Sequence, residues 1–166
     1  MVACGNFVEK TEVEDVFASG ADALAVRFAL KKGAEMGWKG LTVDVKVAFL
    51  NAPLIDEEDP EEDGTMVVLK PPSLIVRLGY AGPGEYYRAD KAIYGLRQSP
   101  KRWGDHRDRK LVAMRTPSGY VLRPSDAEPN LWRIIWVRSD EELSYEDELT
   151  SELYGLIVVY VDDMLM

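Results

Sequence analysis

The chain has 166 residues, 46% hydrophobic and 30% charged. These are the proportions of one folded domain with a real core, and they exclude a disordered chain. A formal net charge of −9 argues at first sight against a nucleic-acid partner, and no apolar run approaches the ~20 residues of a membrane span.

Cys4 and His106 are each alone of their kind. That excludes an internal disulfide and both multi-cysteine and two-histidine zinc sites. A Ser-His-Asp triad would have to be built on His106, whose neighbours Asp105 and Arg107 suit a solvated helix residue better. No basic segment leading into an apolar one opens the chain, so an intracellular, non-secreted protein is expected.

The charge is unevenly spread. Residues 56–63 and 140–152 hold seven acids each and no base; without those fourteen, 15 of the 29 acids remain against 20 bases. Both blocks read as solvated loops, because like charges repel and rarely pack. The overall sign therefore leaves the partner open.

In chain order, Phe7-Val8 and Val16-Phe17 read as short strands or anchors. A helix follows from a capping-box-like start at Ser19 and Asp22, with Leu24, Phe28 and Lys31/Lys32 at helical spacing and a stop at Gly37. Leu41 to Val47 alternates, with Leu41, Val43, Val45 and Val47 on one face and Thr42, Asp44 and Lys46 on the other. Asp44 either pairs with Lys46 on that polar face or serves chemistry. Asn51-Ala-Pro53 is a turn signal.

Thr65 to Lys70 reads as a strand ended by Pro71-Pro72. Residues 79–84 read as a loop, and Tyr86 to Arg88 as a short strand. Lys91 to Leu96 leads into a helix with Pro100 in its first turn, running through Trp103, His106 and Leu111 to about Arg115. Residues 97–115 carry seven bases against Asp105 and Asp108. With Trp103 interleaved, they suit either contact with phosphates and stacked bases or an ordinary charged outer face.

Thr116 to Gly119 ends that helix, and Leu131 to Val137 reads as a strand with Trp132, Ile134 and Trp136 on one face. Leu156 to Val161 reads as a strand buried on both faces, delivering the adjacent acids Asp162 and Asp163. Those acids either close a hairpin or help to grip a metal ion. The elements together imply an α+β fold, an antiparallel sheet with helices packed on one face.

Three features stand in order: Asp44-Val-Lys-Val-Ala-Phe-Leu-Asn51, Tyr94-Gly-Leu-Arg-Gln-Ser-Pro-Lys-Arg-Trp103 and Tyr160-Val-Asp-Asp163. Their order and spacing resemble the reverse transcriptase of copia-type (Ty1/copia) LTR retrotransposons. Softer matches lie at Met66 to Pro72, Gly119-Tyr120, Asp126 and Asn130-Leu-Trp132. The resemblance implies an RNA-directed DNA polymerase. Its polymerase palm would span about 41–55 and 91–166, with partial fingers at about 1–40 and 65–90, in a single incomplete domain over 1–166.

It further implies catalytic acids Asp44, Asp162 and Asp163. Two Mg²⁺ ions (or Mn²⁺) would be held mainly by Asp44 and Asp162 with the Val45 carbonyl, and less directly by Asp163. Phe49, Tyr94 and Gly95 would line the deoxynucleoside triphosphate pocket, Phe49 excluding a ribose 2′-hydroxyl; read by itself, Phe49 is equally a core residue. Arg97, Lys101, Arg102 and Trp103 would contact an RNA or DNA template with its primer.

The chain departs from the family at Cys4, where a base is common, at Ser19, where a proline is, and at Gly104, where an aromatic is. It stops three residues after Asp163, so an unpaired sheet edge is expected there. The thumb and RNase H of a full element would be separate, and this fragment alone is expected to be inactive. Two other readings stand beside this one: a non-catalytic remnant acting as a nucleic-acid-binding or structural module, and a different Mg²⁺-dependent phosphotransferase or nuclease.

Overall fold

The computed structural model describes residues 20–54, 66–138, 144, 148 and 150–166. The elements expected at Phe7-Val8 and Val16-Phe17, the departures at Cys4 and Ser19, and most of both acidic blocks lie outside them. The described chain forms two compact units, one from residues 47–106 and the other from 20–46 and 107–166.

The second unit is a five-stranded, wholly antiparallel sheet. Its strands are β1 (Thr42–Asp44), β4 (Tyr120–Pro124), β5 (Leu131–Trp136), β6 (Leu153–Tyr160) and β7 (Asp163–Leu165), in the spatial order β1-β7-β6-β5-β4. The β6 strand is central because its sequence is apolar at both parities: Gly155 to Val159 are all buried. Helix α1 (Ala23–Met36) begins at Asp22, whose carboxylate accepts the Leu24 N–H at 2.7 Å. It stops at Gly37, whose φ of 68° lets the chain turn left-handed and return its N–H to the last carbonyls.

Such a two-sided strand needs a layer on each face, and this corrects the expectation of helices on one face only. Leu156 and Val158 pack with Ala25 and Ala29 of α1. Ile157 and Val159 pack on the other side with Trp132, Leu122, Met164 and Leu111, the last on helix α3 (Ser99–Ala113). Leu24 and Phe28, set at helical spacing, are 72% and 50% exposed; small alanines take the buried stripe of α1 instead. Bulky residues there would hold the helix off the sheet.

Two further expectations change. The alternating strand at 41–47 ends at Asp44, because Val47 adopts φ 49° and turns the chain; Val43 and Val45 pack inward while Leu41 and Val47 stay exposed. The expected unpaired edge after the Asp-Asp turn is filled: β7 lies between β1 and β6 and pairs with both. Strand β4 lies in a stretch to which the sequence reading assigned no element; as an edge strand it tolerates a proline at its end.

The first unit contains the ribbon of β2 (Val68–Leu69) and β3 (Tyr87–Arg88), the short helix α2 (Ser73–Arg77), a 3₁₀ turn at Ala48–Asn51 and the first half of α3. Backbone bonds Leu54 N to Asp90 O (3.0 Å) and Ala92 N to Ala52 O (2.9 Å) zip residues 52–54 to 90–92. No described helix is long and apolar enough to cross a membrane.

Candidate functional site

The Tyr160–Asp163 hairpin presents the acids. Tyr160 pairs with Asp163 around a two-residue turn, Val161-Asp162. Only the first of these has positive φ, at 56°, the pattern of a type II′ turn. Glycine is the usual occupant of that position. A β-branched residue there is an outlier that costs roughly 1–3 kcal/mol and persists only where its surroundings over-determine it.

The register of β1 against β7 then decides where Asp44 goes. Thr42 is opposite Leu165, Val43 opposite Met164, and Asp44 opposite Asp163. Leu41 and Met166 exchange both backbone bonds at 2.8 Å, and the Val45 N–H donates to the Asp162 carbonyl at 2.9 Å. Hydrogen-bonded pairs alternate with open ones along an antiparallel ladder, so Asp44–Asp163 is an open pair. In that kind the Cα atoms approach to about 4.5 Å and side chains come closest.

Val43 and Met164 point into the core on one face, so Asp44 and Asp163 emerge together on the other. Both are exposed and Asp162 is half-buried. Among the described residues no hydrogen bond or salt bridge involves the side chains of these three acids, so Asp44 does not pair with Lys46. Like charges directly opposite on a ladder repel, by a few tenths to about 1 kcal/mol.

Carboxylate and backbone carbonyl oxygens are the hard donors that Mg²⁺ prefers; Asp44 and Asp163 sit on paired strands and Asp162 in the turn between β6 and β7. The donor chemistry at Asp44, Asp162, Asp163 and the Val45 carbonyl thus fits that ion in kind. As the side chains stand, no group of three or more His, Cys, Asp or Glu among the described residues is gathered closely enough to hold a metal.

The other expected site residues lie in the first unit. Phe49 and Tyr94 are brought together, ring centroids 4.5 Å apart and tilted by 43°. The zipper between 52–54 and 90–92 and the 3₁₀ turn carrying Phe49 explain this meeting. Gly95 follows with φ 97°, a left-handed position that suits glycine. Ser99, which no sequence signal singled out, is fully buried. Its hydroxyl donates to the Ile93 carbonyl (2.7 Å) and accepts the Ile93 N–H (3.0 Å), tying the Tyr94-Gly95 loop to the start of α3.

Arg97 and Lys101 are exposed and Arg102 is half-buried. Trp103 is 4% exposed and its ring neighbours His106 at 6.2 Å, so it packs inside and offers no open face to a nucleobase. An indole on the inner face of a helix buries a large apolar area. A second residue that sequence reasoning missed is Arg107, buried at 5% with its guanidinium against the Val161 carbonyl.

No family model matches the chain, and no curated protein or solved structure matches it either.

Proposed function

We propose that the chain is a reverse transcriptase domain of the copia type, a palm with partial fingers, built for two-metal nucleotidyl transfer to a primer 3′ end. The observation that carries this reading is the open cross-strand pair Asp44–Asp163 beside the strained turn at Val161-Asp162. Two acids far apart in sequence, Asp44 and Asp163, face each other with Asp162 next to the second, where folding alone gains nothing from their meeting. Backbone strain and uncompensated charge cluster at functional sites.

In this reading Asp44 and Asp162 with the Val45 carbonyl hold the ions, and Asp163 completes the acidic patch. Bound there, two Mg²⁺ would favour ionisation of the primer 3′-hydroxyl and neutralise charge on the departing pyrophosphate. By their places in the second motif, Tyr94 and Gly95 belong to the nucleotide pocket. Phe49, stacked on Tyr94, is the residue that excludes a 2′-hydroxyl. Arg97, Lys101 and Arg102 supply cationic contacts to template and primer phosphates.

Titrating the purified chain with Mn²⁺, read by the loss of the free-ion EPR signal, tests the site. Saturable binding that disappears in Asp44→Asn and Asp162→Asn is expected; binding unaffected by either change would refute it.

The second reading, a non-catalytic remnant that binds nucleic acid or serves structurally, is favoured by one observation: among the described residues no three acids are gathered for an ion as they stand. It requires Asp44→Asn and Asp162→Asn to leave the behaviour of the protein unchanged.

A further inference from the structure

We infer that Arg107 is a positioning residue for the Asp-Asp hairpin, locking the backbone that presents Asp162 and Asp163; the functional consequence rests on the metal-binding reading above. A guanidinium this deeply buried needs partners for its charge and its donors. Among the described residues one partner is a carboxylate: Nε donates to Asp108 at 2.7 Å, and the Asp108 side chain is itself 41% exposed. The other two contacts reach neutral oxygens of distant segments. One terminal nitrogen donates to Asn130 Oδ1 at 3.3 Å, the other to the Val161 carbonyl at 3.4 Å, the long end of hydrogen-bond range.

Asn130 is 2% exposed and fastened in turn. Its carbonyl accepts the Val159 N–H at 2.8 Å, and its own N–H groups donate to Glu128. From the α1 side of the sheet the Tyr160 ring lies so close over Gly20 that a Cβ there would clash with it, and the Ala21 N–H donates to the Val159 carbonyl at 3.3 Å. Three consecutive residues are thus each held: Val159 by Asn130 and Ala21, Tyr160 by Gly20, Val161 by Arg107.

The last of these is the residue with left-handed φ, where a valine stays only if something holds it. A planar fork of donors bridging three acceptors does this in a way that the single ammonium of lysine cannot. How firmly the turn is held then governs how well the carboxylates after it meet a cation.

The test uses the whole chain, Mn²⁺ as the probe, and four variants. Arg107→Met keeps the bulk without donors, Arg107→Lys keeps the charge without the fork, Arg109→Met is an exposed control on the same helix, and Asp162→Asn removes a ligand. Arg107→Met and Arg107→Lys are expected to raise the Mn²⁺ dissociation constant about tenfold, the scale of losing an outer partner of a metal site. Both should speed amide hydrogen exchange at Val161, Asp162 and Asp163, with far-UV circular dichroism unchanged and Arg109→Met like the parent.

If Arg107→Met fails to fold, Arg107→Lys carries the same expectation. Affinity and exchange equal to the parent in the folded Arg107 variants would overturn the inference. If the parent chain itself binds no Mn²⁺, the metal-binding reading falls, and exchange at residues 161–163 alone decides whether Arg107 holds the turn.

Discussion

Replacing Asp44 with asparagine should make the metal-free protein more stable and the metal-loaded protein less so. Asp44 faces Asp163 in the open type of cross-strand pair, about 4.5 Å between Cα atoms, with both side chains in solvent. Coulomb repulsion at that range in water is about 1 kcal/mol, and measured like-charge pairs on ladders fall at or below it. Removing one charge should then raise the melting temperature by about 1–3 °C for a chain of this size, measured in EDTA at low salt.

The gain should fade near 1 M salt, where the screening length is only about 3 Å. With Mg²⁺ at ten times its dissociation constant, linkage stabilises the parent by about 1.4 kcal/mol, or about 3–5 °C. Asp44→Asn should lose most of that. The two proteins therefore exchange rank between EDTA and Mg²⁺ in a calorimetric or circular-dichroism melt. A variant less stable than the parent in EDTA, or one that gains as much from Mg²⁺, would refute the reasoning.

Ser99→Ala should destabilise by about 1–3 kcal/mol, because it strands the Ile93 N–H in a part-buried setting and leaves the Ile93 carbonyl with only the Leu96 N–H; urea unfolding measures it, and a change below about 0.5 kcal/mol, the size of an exposed substitution, would contradict the assignment. Ile135→Ala, at a core position 1% exposed, should cost about 2–5 kcal/mol in the same assay. Asp22→Ala should lose about 1 kcal/mol with its N-cap bond, visible as faster exchange in the first turn of α1.

The exposed Tyr154 phenol is held above its ordinary range, first by its hydrogen bond to Glu152 and further by the nearby charge of that carboxylate. A raised value in the folded state means this bond's contribution is full below the unfolded phenol's value and is lost as pH rises through the folded one. Glu152→Gln should move the phenolate absorbance transition to lower pH; no movement would dismiss the bond.

Much of the local architecture was legible because it depends on neighbours in sequence. Gly37 stops α1 as capping chemistry dictates, whereas its N-cap is Asp22 and not the Ser19 of the expected capping box; Pro100 sits in the first turn of α3, and the unbroken apolar run before Asp162 is the strand buried on both faces that it reads as. Elements that borrow their stability from elsewhere were not legible. β4 ends in Arg123 and Pro124 and holds because β5 pairs with it. The five-residue α2 follows two prolines that read as a break.

The sequence by itself determined that Asp162 and Asp163 close a strand, that Asp44 rides on another, and that a basic helix begins at the Tyr94 motif. Which residue meets Asp44 was decided only by the ladder between β1 and β7, because a shift of one residue would have turned Asp163 to the core face. Tertiary packing likewise settled that Trp103 and Arg107, both plausible surface contacts on a charged helix, turn inward. The Val161 carbonyl that Arg107 holds lies 54 residues further along the chain. Propensity and periodicity act over a turn or two of chain, whereas the burial of a charge depends on acceptors that only the folded sheet brings within reach.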